Sequence, residues 1–219
     1  MIVKQYIQNL FPFLLVTLVL YAVAFKFVKS KKIFHEIIIL YVAAFLTFVP
    51  LGGLSLGDYI LSVNPNYSLG SIALVLVLLW PKIMDKPLLS KKDLMIFCSW
   101  NVVFSLILFA SYLGLIPYDM YALGYNFSWW FLVVALLTLA SIWLWYPLSF
   151  ILAAYIAAFN VKLLPSPNFF DYVTDGFLFF MSLGLLVVWG WQSRFRLFRK
   201  VRSRPRARGQ VPLRLSIDL

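Results

Sequence analysis

Charge in this chain is confined to a few short segments, separated by long apolar runs that carry almost none. All eight Arg residues lie between Arg194 and Arg214, and most of the eleven Lys residues fall within 26–32 and 82–92. A run without charge that is long enough to cross hydrocarbon must satisfy its own backbone hydrogen bonds, which favours helices. Loops that stay in the cytoplasm keep Lys and Arg, whereas translocated loops lose them. The pattern therefore predicts an all-α, polytopic helical membrane bundle of about seven transmembrane helices, six being the alternative. The amino end is placed outside and the carboxyl end in the cytoplasm.

Composition agrees with that reading. The 219 residues are 63% hydrophobic and 12% charged, with a mean hydropathy of +0.91, against about 45–50% and about 25% for soluble domains. One helical domain, 1–193, and a basic cytoplasmic tail, 194–219, account for the whole chain. The net charge of +11 lies in cytoplasmic segments, where topology already explains it, so a nucleic-acid partner is not expected. The expected partners are the bilayer, anionic lipids along the basic tail, and a second membrane protein or further copies of this chain. The expected location is a cell membrane, the bacterial inner membrane rather than an organelle. A single cysteine, Cys98, and a single histidine, His35, cannot supply a disulfide, a haem or a multi-histidine metal centre, and no cofactor is expected.

The spans are read at 6–28, 33–51, 70–84, 94–116, 128–146, 148–163 and 176–192. Residues 54–69 form an amphipathic interfacial or re-entrant segment. The first run lacks the features of a cleaved signal and is read as a retained span. The weakest boundary is Pro147, where one long kinked helix is the alternative to two spans. With seven spans, seventeen of the nineteen Lys and Arg face the inside. Rings at the span edges, among them Trp80, Trp129, Trp143, Trp189, Tyr59, Tyr67, Tyr118 and Tyr121, suit the headgroup region.

Three expected outer connections resemble one another. They carry Asp58-Tyr59, then Asp119 with Tyr121, then Asp171-Tyr172 with Asp175. Shared capping chemistry is the simplest account of the likeness. Two carboxylates held close together can divide acid and base roles, so Asp58, Asp119, Asp171 and Asp175 are the candidate catalytic set. A polar stripe on the fourth span (Cys98, Asn101, Ser105, Tyr112) and further polar positions at Thr138, Ser141 and Ser182 suggest a substrate path. Interhelical hydrogen bonding is the simpler use of the same residues. His35 and Glu36, at the start of the second span, read as an ion pair with the lysines at 29–32 or as a proton-accepting pair.

Three classes of function follow. The first is a noncatalytic membrane-embedded subunit or accessory factor of a larger assembly. The second is an enzyme acting on a lipid-linked or glycan substrate at the outer face through the aspartates, and the third is a small-solute transporter or channel.

Overall fold

The computed structural model describes residues 2–27, 33–50, 52–125, 129–143 and 148–202, and these are all-helical, with no strand among them. In chain order the helices are α1 (Ile2–Phe27), α2 (Ile33–Phe48), α3 (Leu56–Val63), α4 (Leu69–Ile83), α5 (Lys91–Tyr112), α6 (Trp129–Trp143), α7 (Ser149–Asn160), α8 (Phe170–Val173) and α9 (Gly176–Arg202). A 3₁₀ turn, Tyr121–Gly124, lies between α5 and α6. Serine side chains start three of them: Ser55, Ser68 and Ser90 each accept from the backbone three residues on, which satisfies one donor of the first turn.

Side-chain contacts give the helix directions. Phe13 of α1 stacks on Phe48 at the far end of α2 (6.1 Å), so this pair is antiparallel. Gln8 of α1 donates to the carbonyl of Pro65 (3.2 Å), and Phe11 stacks on Tyr67 (3.8 Å); both partners lie just before α4, which therefore runs parallel to α1. Phe109 meets Phe179 (5.3 Å), and the Lys91 ammonium lies 5.8 Å from the centre of the Trp189 ring. Those two contacts lie at opposite ends of the antiparallel pair α5 and α9. Phe131 of α6 packs on Phe159 of α7 (5.5 Å). In a continuous helix these two residues would be roughly 42 Å apart at 1.5 Å per residue. The kinked single helix is therefore excluded, and α6 and α7 form a hairpin.

With the directions alternating, segments 52–68, 113–125 and 161–175 gather at one end of the bundle. Each carries a short helical element: α3, the 3₁₀ turn and α8. The connection 84–90, flanked by Lys82, Lys91 and Lys92, lies at the other end.

Two helices are long and apolar enough to cross a membrane, Lys91–Tyr112 and the Gly176–Ser193 part of α9. The rest of the expected spans are shorter apolar helices. The helix expected at 148–163 is cut back to twelve residues because Lys162 takes φ +53° just after it. That left-handed conformation ends a helix. At 1.5 Å per residue α7 is about 18 Å long, against a hydrocarbon core of about 30 Å.

Apolar side chains face outward as well as inward, unlike those of a soluble bundle. Only 33% of the apolar window of α5 and 17% of that of α9 is buried. Phe34, Tyr41 and Phe45 on α2, Val103 and Leu106 on α5, Leu132 and Leu139 on α6, and Phe180 and Val187 on α9 are exposed. Inside lie Thr17, Thr47, Ser71, Asn101, Ser105, Thr138 and Ser182, all buried. Tyr67 corrects the expectation of a headgroup ring there: it is buried against Phe11 and Phe177, and its hydroxyl donates to the Ile60 carbonyl (3.1 Å). Burial raises its pKa first, and nearby Asp175 second. The lysines at 29–32 proposed as partners of Glu36 lie outside the described residues, as does the tail beyond Arg202.

Helices approach closely at Gly70 of α4. A Cβ there would lie 2.4 Å from Leu178 Cδ2 and from the Val173 carbonyl, and 3.0 Å from the Tyr155 hydroxyl, whereas one on Gly184 of α9 would meet nothing within 4 Å. Gly70→Ala should therefore lower stability by about 1–3 kcal/mol through overpacking. Gly184→Ala should be neutral or raise it by up to about 1 kcal/mol through helix propensity. Reversible unfolding in detergent checks both; equal effects would show that the α4–α9 contact is looser than described.

Candidate functional site

Sequence-distant contacts at the end holding α3, the 3₁₀ turn and α8 build one site. Asn168 is fully buried and works in both directions. Its Nδ2 donates to the Tyr121 carbonyl (2.9 Å), and its Oδ1 accepts from the Phe170 amide (2.8 Å), closing a turn that leads into α8. The Phe169 amide donates to the Gly124 carbonyl (2.9 Å). A Cβ on Gly124 would lie 2.0 Å from Asn168 Oδ1, so glycine permits this approach of the 3₁₀ turn to the α8 segment.

Asp171, held by that frame, accepts from the Tyr121 hydroxyl at Oδ1 (2.6 Å) and from the Ser166 hydroxyl at Oδ2. The Tyr121 phenol is pushed well up, by burial first and then by its hydrogen bond to Asp171. It therefore remains a neutral donor at physiological pH.

Asp175 ties two helix starts together. Its Oδ1 accepts from the Leu178 amide (2.8 Å), capping α9, and its Oδ2 accepts from the Ser68 amide (2.6 Å) and the Ser71 hydroxyl (2.7 Å) at the start of α4. A carboxylate also interacts favourably with the positive end of a helix dipole, and here it lies at two. Beside it the hydroxyls of Ser105 on α5 and Thr174 share a hydrogen bond (2.7 Å).

A cavity of about 390 Å³ opens between α5, the 3₁₀ turn, α8 and the start of α9. Asp171, Asp175, Ser105 and Thr174 line it, together with Leu108, Phe109, Tyr112, Tyr121, Phe170 and Gly176. Of the four candidate aspartates, then, the structure brings two to one cavity. Asp58 is taken up in a capping box with Ser55, whose amide donates to Oδ2 (2.8 Å). Asp119 accepts from the amides of Tyr121 and Ala122 (3.0 and 3.1 Å). Both are local caps of their short elements.

The positions of the expected path do not line a single passage. Ser105 and Tyr112 border this cavity, while Ser141 borders a separate apolar one between α5, α6 and α7. Thr138 and Ser141 donate to backbone carbonyls of their own helix (both 2.8 Å). Asn101 donates to the Phe97 carbonyl (2.9 Å), leaving its buried Oδ1 without a partner. Ser182 is buried, and its hydroxyl has no hydrogen bond of normal geometry although Cys98 lies near it. The residues that sequence reasoning missed are Tyr121 as a donor, Ser166, Asn168, Thr174, Ser68 and Ser71. Among the described residues no cluster of three His, Cys, Asp or Glu side chains is placed to hold a metal ion. Comparison with protein-family models, curated proteins and solved structures finds no match to the chain.

Asp175→Asn keeps the side-chain volume but sets an amide donor against the Ser68 and Ser71 donors or the Leu178 amide. Charge-assisted hydrogen bonds contribute about 1.5–3 kcal/mol each when lost. The variant should therefore lose about 2 kcal/mol or more in detergent unfolding, and Asp119→Asn only a few tenths; a reversed order would contradict the double cap. The Ser55 hydrogen bonds hold the Asp58 pKa below its ordinary 3.8. A group depressed in the folded state contributes stability above its unfolded value and loses it as pH falls through the folded one. Amide hydrogen exchange over α3 should stay slow at pH 4 and quicken only below 3.8, an effect abolished in Asp58→Asn.

Proposed function

We propose that this chain is an integral, multi-pass membrane protein serving as a noncatalytic membrane-embedded subunit of a larger assembly. The observation that carries the noncatalytic reading is the engagement of the four candidate aspartates. Each accepts from amides or hydroxyls that hold the chain's own turns and helix starts. A general base must present a free lone pair to the proton it removes, whereas the position of each of these carboxylates is accounted for by the donors it holds in the fold.

The membrane reading rests on the outward-facing apolar side chains. Exposed apolar faces of this extent mark membrane or partner contact in a folded chain, and the two long apolar helices are mostly unburied. Alternating helix directions and basic segments at one end favour seven crossings with the amino end outside and the basic tail inside, against anionic lipids. In a bacterium that membrane is the inner one. The assembly reading draws on the short helices. A span of about 18 Å in a core of about 30 Å is accommodated by thinning the bilayer or by packing against other protein, and α7 leaves Phe150 80% exposed at its start.

The enzyme reading at the outer face keeps one supporting observation, that Asp171 and Asp175 border the same cavity. It requires that one of them reach a substrate proton through an acceptor position its present donors leave open.

Extraction of the native membrane in mild detergent, followed by light scattering, distinguishes these readings. The expected result is a particle well above the 25.3 kDa of one chain, containing a second polypeptide in fixed ratio, and formed equally well by Asp171→Asn. A lone 25.3 kDa chain would contradict the subunit reading. Loss of a cellular phenotype in Asp171→Asn with the assembly intact would favour the enzyme.

A further inference from the structure

The cavity bordered by Asp171 has a wall that capping does not explain. It carries four aromatic rings, Phe109, Tyr112, Tyr121 and Phe170, two carboxylates and, among the described residues, no Lys, Arg or His. The two carboxylates are not electrically alike. Asp175 accepts three hydrogen bonds and lies at the starts of α4 and α9. Each helix start is equivalent to about half a positive charge, so the pair offsets its charge. Asp171 accepts only from two neutral hydroxyls, those of Tyr121 and Ser166, and belongs to a four-residue turn. Of the about four acceptor positions on a carboxylate, two stay open.

One uncompensated negative charge thus borders a cavity walled by aromatic rings, whose π systems attract cations. An anion placed there would be repelled by Asp171, and a purely apolar group would strip water from it without replacing its hydrogen bonds. The geometry points to a binding site for a single organic ammonium group, held by Asp171 and flanked by Phe109, Tyr112 and Phe170. A primary ammonium would also donate to the two open acceptor positions. Phe109 and Tyr112 continue the wall along one face of α5, where both are exposed. That apolar track suits an ammonium carried on a lipid headgroup with its acyl chains along α5; a free amine is the other source. The site goes beyond the proposed subunit role and depends on neither catalysis nor a partner.

The test uses the purified full chain and native mass spectrometry with equimolar lipids of identical acyl chains bearing phosphoethanolamine, phosphocholine or phosphoglycerol headgroups. A parallel arm titrates free ethanolammonium and tetramethylammonium and follows binding by saturation-transfer NMR. One ammonium lipid per chain should be retained, about tenfold over phosphoglycerol, the scale of one desolvated cation–aromatic contact. Asp171→Asn should remove that preference. Tyr112→Ala, whose ring is 87% exposed and so has little part in the fold, should weaken retention about threefold. Asp119→Asn, at the same end but outside the cavity, should change nothing. Saturable binding of free ammonium without lipid retention, lost in Asp171→Asn, would assign the site to a soluble amine. Equal retention of phosphoglycerol, binding unaltered by both cavity variants, or no binding in either arm would overturn the proposal.

Discussion

Most polar groups at the helix starts of this molecule find their partners inside the chain, beside a surface rich in apolar side chains. That single constraint accounts for features that would otherwise look unrelated. Thr17, Thr47 and Thr138 turn back to the carbonyl four residues earlier in their own helices. Serines cap the starts of α3, α4 and α5, and Asp175 serves the starts of two helices at once. An uncapped helix start without water leaves backbone donors unsatisfied, each costing several kcal/mol in hydrocarbon. One carboxylate satisfying both α4 and α9 therefore fixes where these parallel helices begin and how closely they approach, with Gly70 admitting the Val173 carbonyl and Leu178.

From that tie the rest of the end structure follows. Thr174 sits beside Asp175 and reaches Ser105 on α5, bringing the third helix into register. The α8 segment, held on one side by this contact, is held on the other by Asn168 and Asp171 against the 3₁₀ turn. The space left between the two sets of hydrogen bonds is the cavity. Its polar edge and its aromatic wall thus have different origins: the edge is the by-product of capping, whereas Tyr112 and Phe109 serve no cap and make no polar contact with the frame.

Much of the helix plan was legible in the sequence, for a clear reason. An uncharged run ending in Lys, Pro or Gly reports its own length, and the runs at 33–51, 70–84 and 94–116 correspond to α2, α4 and α5 within a few residues. The resemblance among the three connections was real in structural terms, since each contains a short helical element, and Asp58 and Asp119 cap theirs as ordinary chemistry suggests. Helix ends set by backbone conformation were not legible. Nothing in the composition of 148–163 announces the left-handed turn at Lys162 that leaves α7 with twelve residues. The candidate site was half legible. Asp171 and Asp175 could be named, but their partners lie 50 and more than 100 residues away. Pairing over such distances depends on which helices are neighbours, and charge patterning carries no information about that. Tyr67 and Tyr121 show the same gap: a tyrosine near a span edge reads as a headgroup ring until the packing reveals a buried partner.

The central claim is that this polarity reflects a bilayer, with the cavity-bearing end outside and the basic end in the cytoplasm. Single cysteines at two exposed positions, Asp119→Cys and Lys86→Cys, in a chain whose own buried Cys98 is replaced by Ala, test it by labelling intact cells with a membrane-impermeant maleimide. The account predicts labelling of the cysteine at 119 in intact cells and of the one at 86 only after permeabilisation. Labelling of both from the same side, or the reverse order, would contradict it.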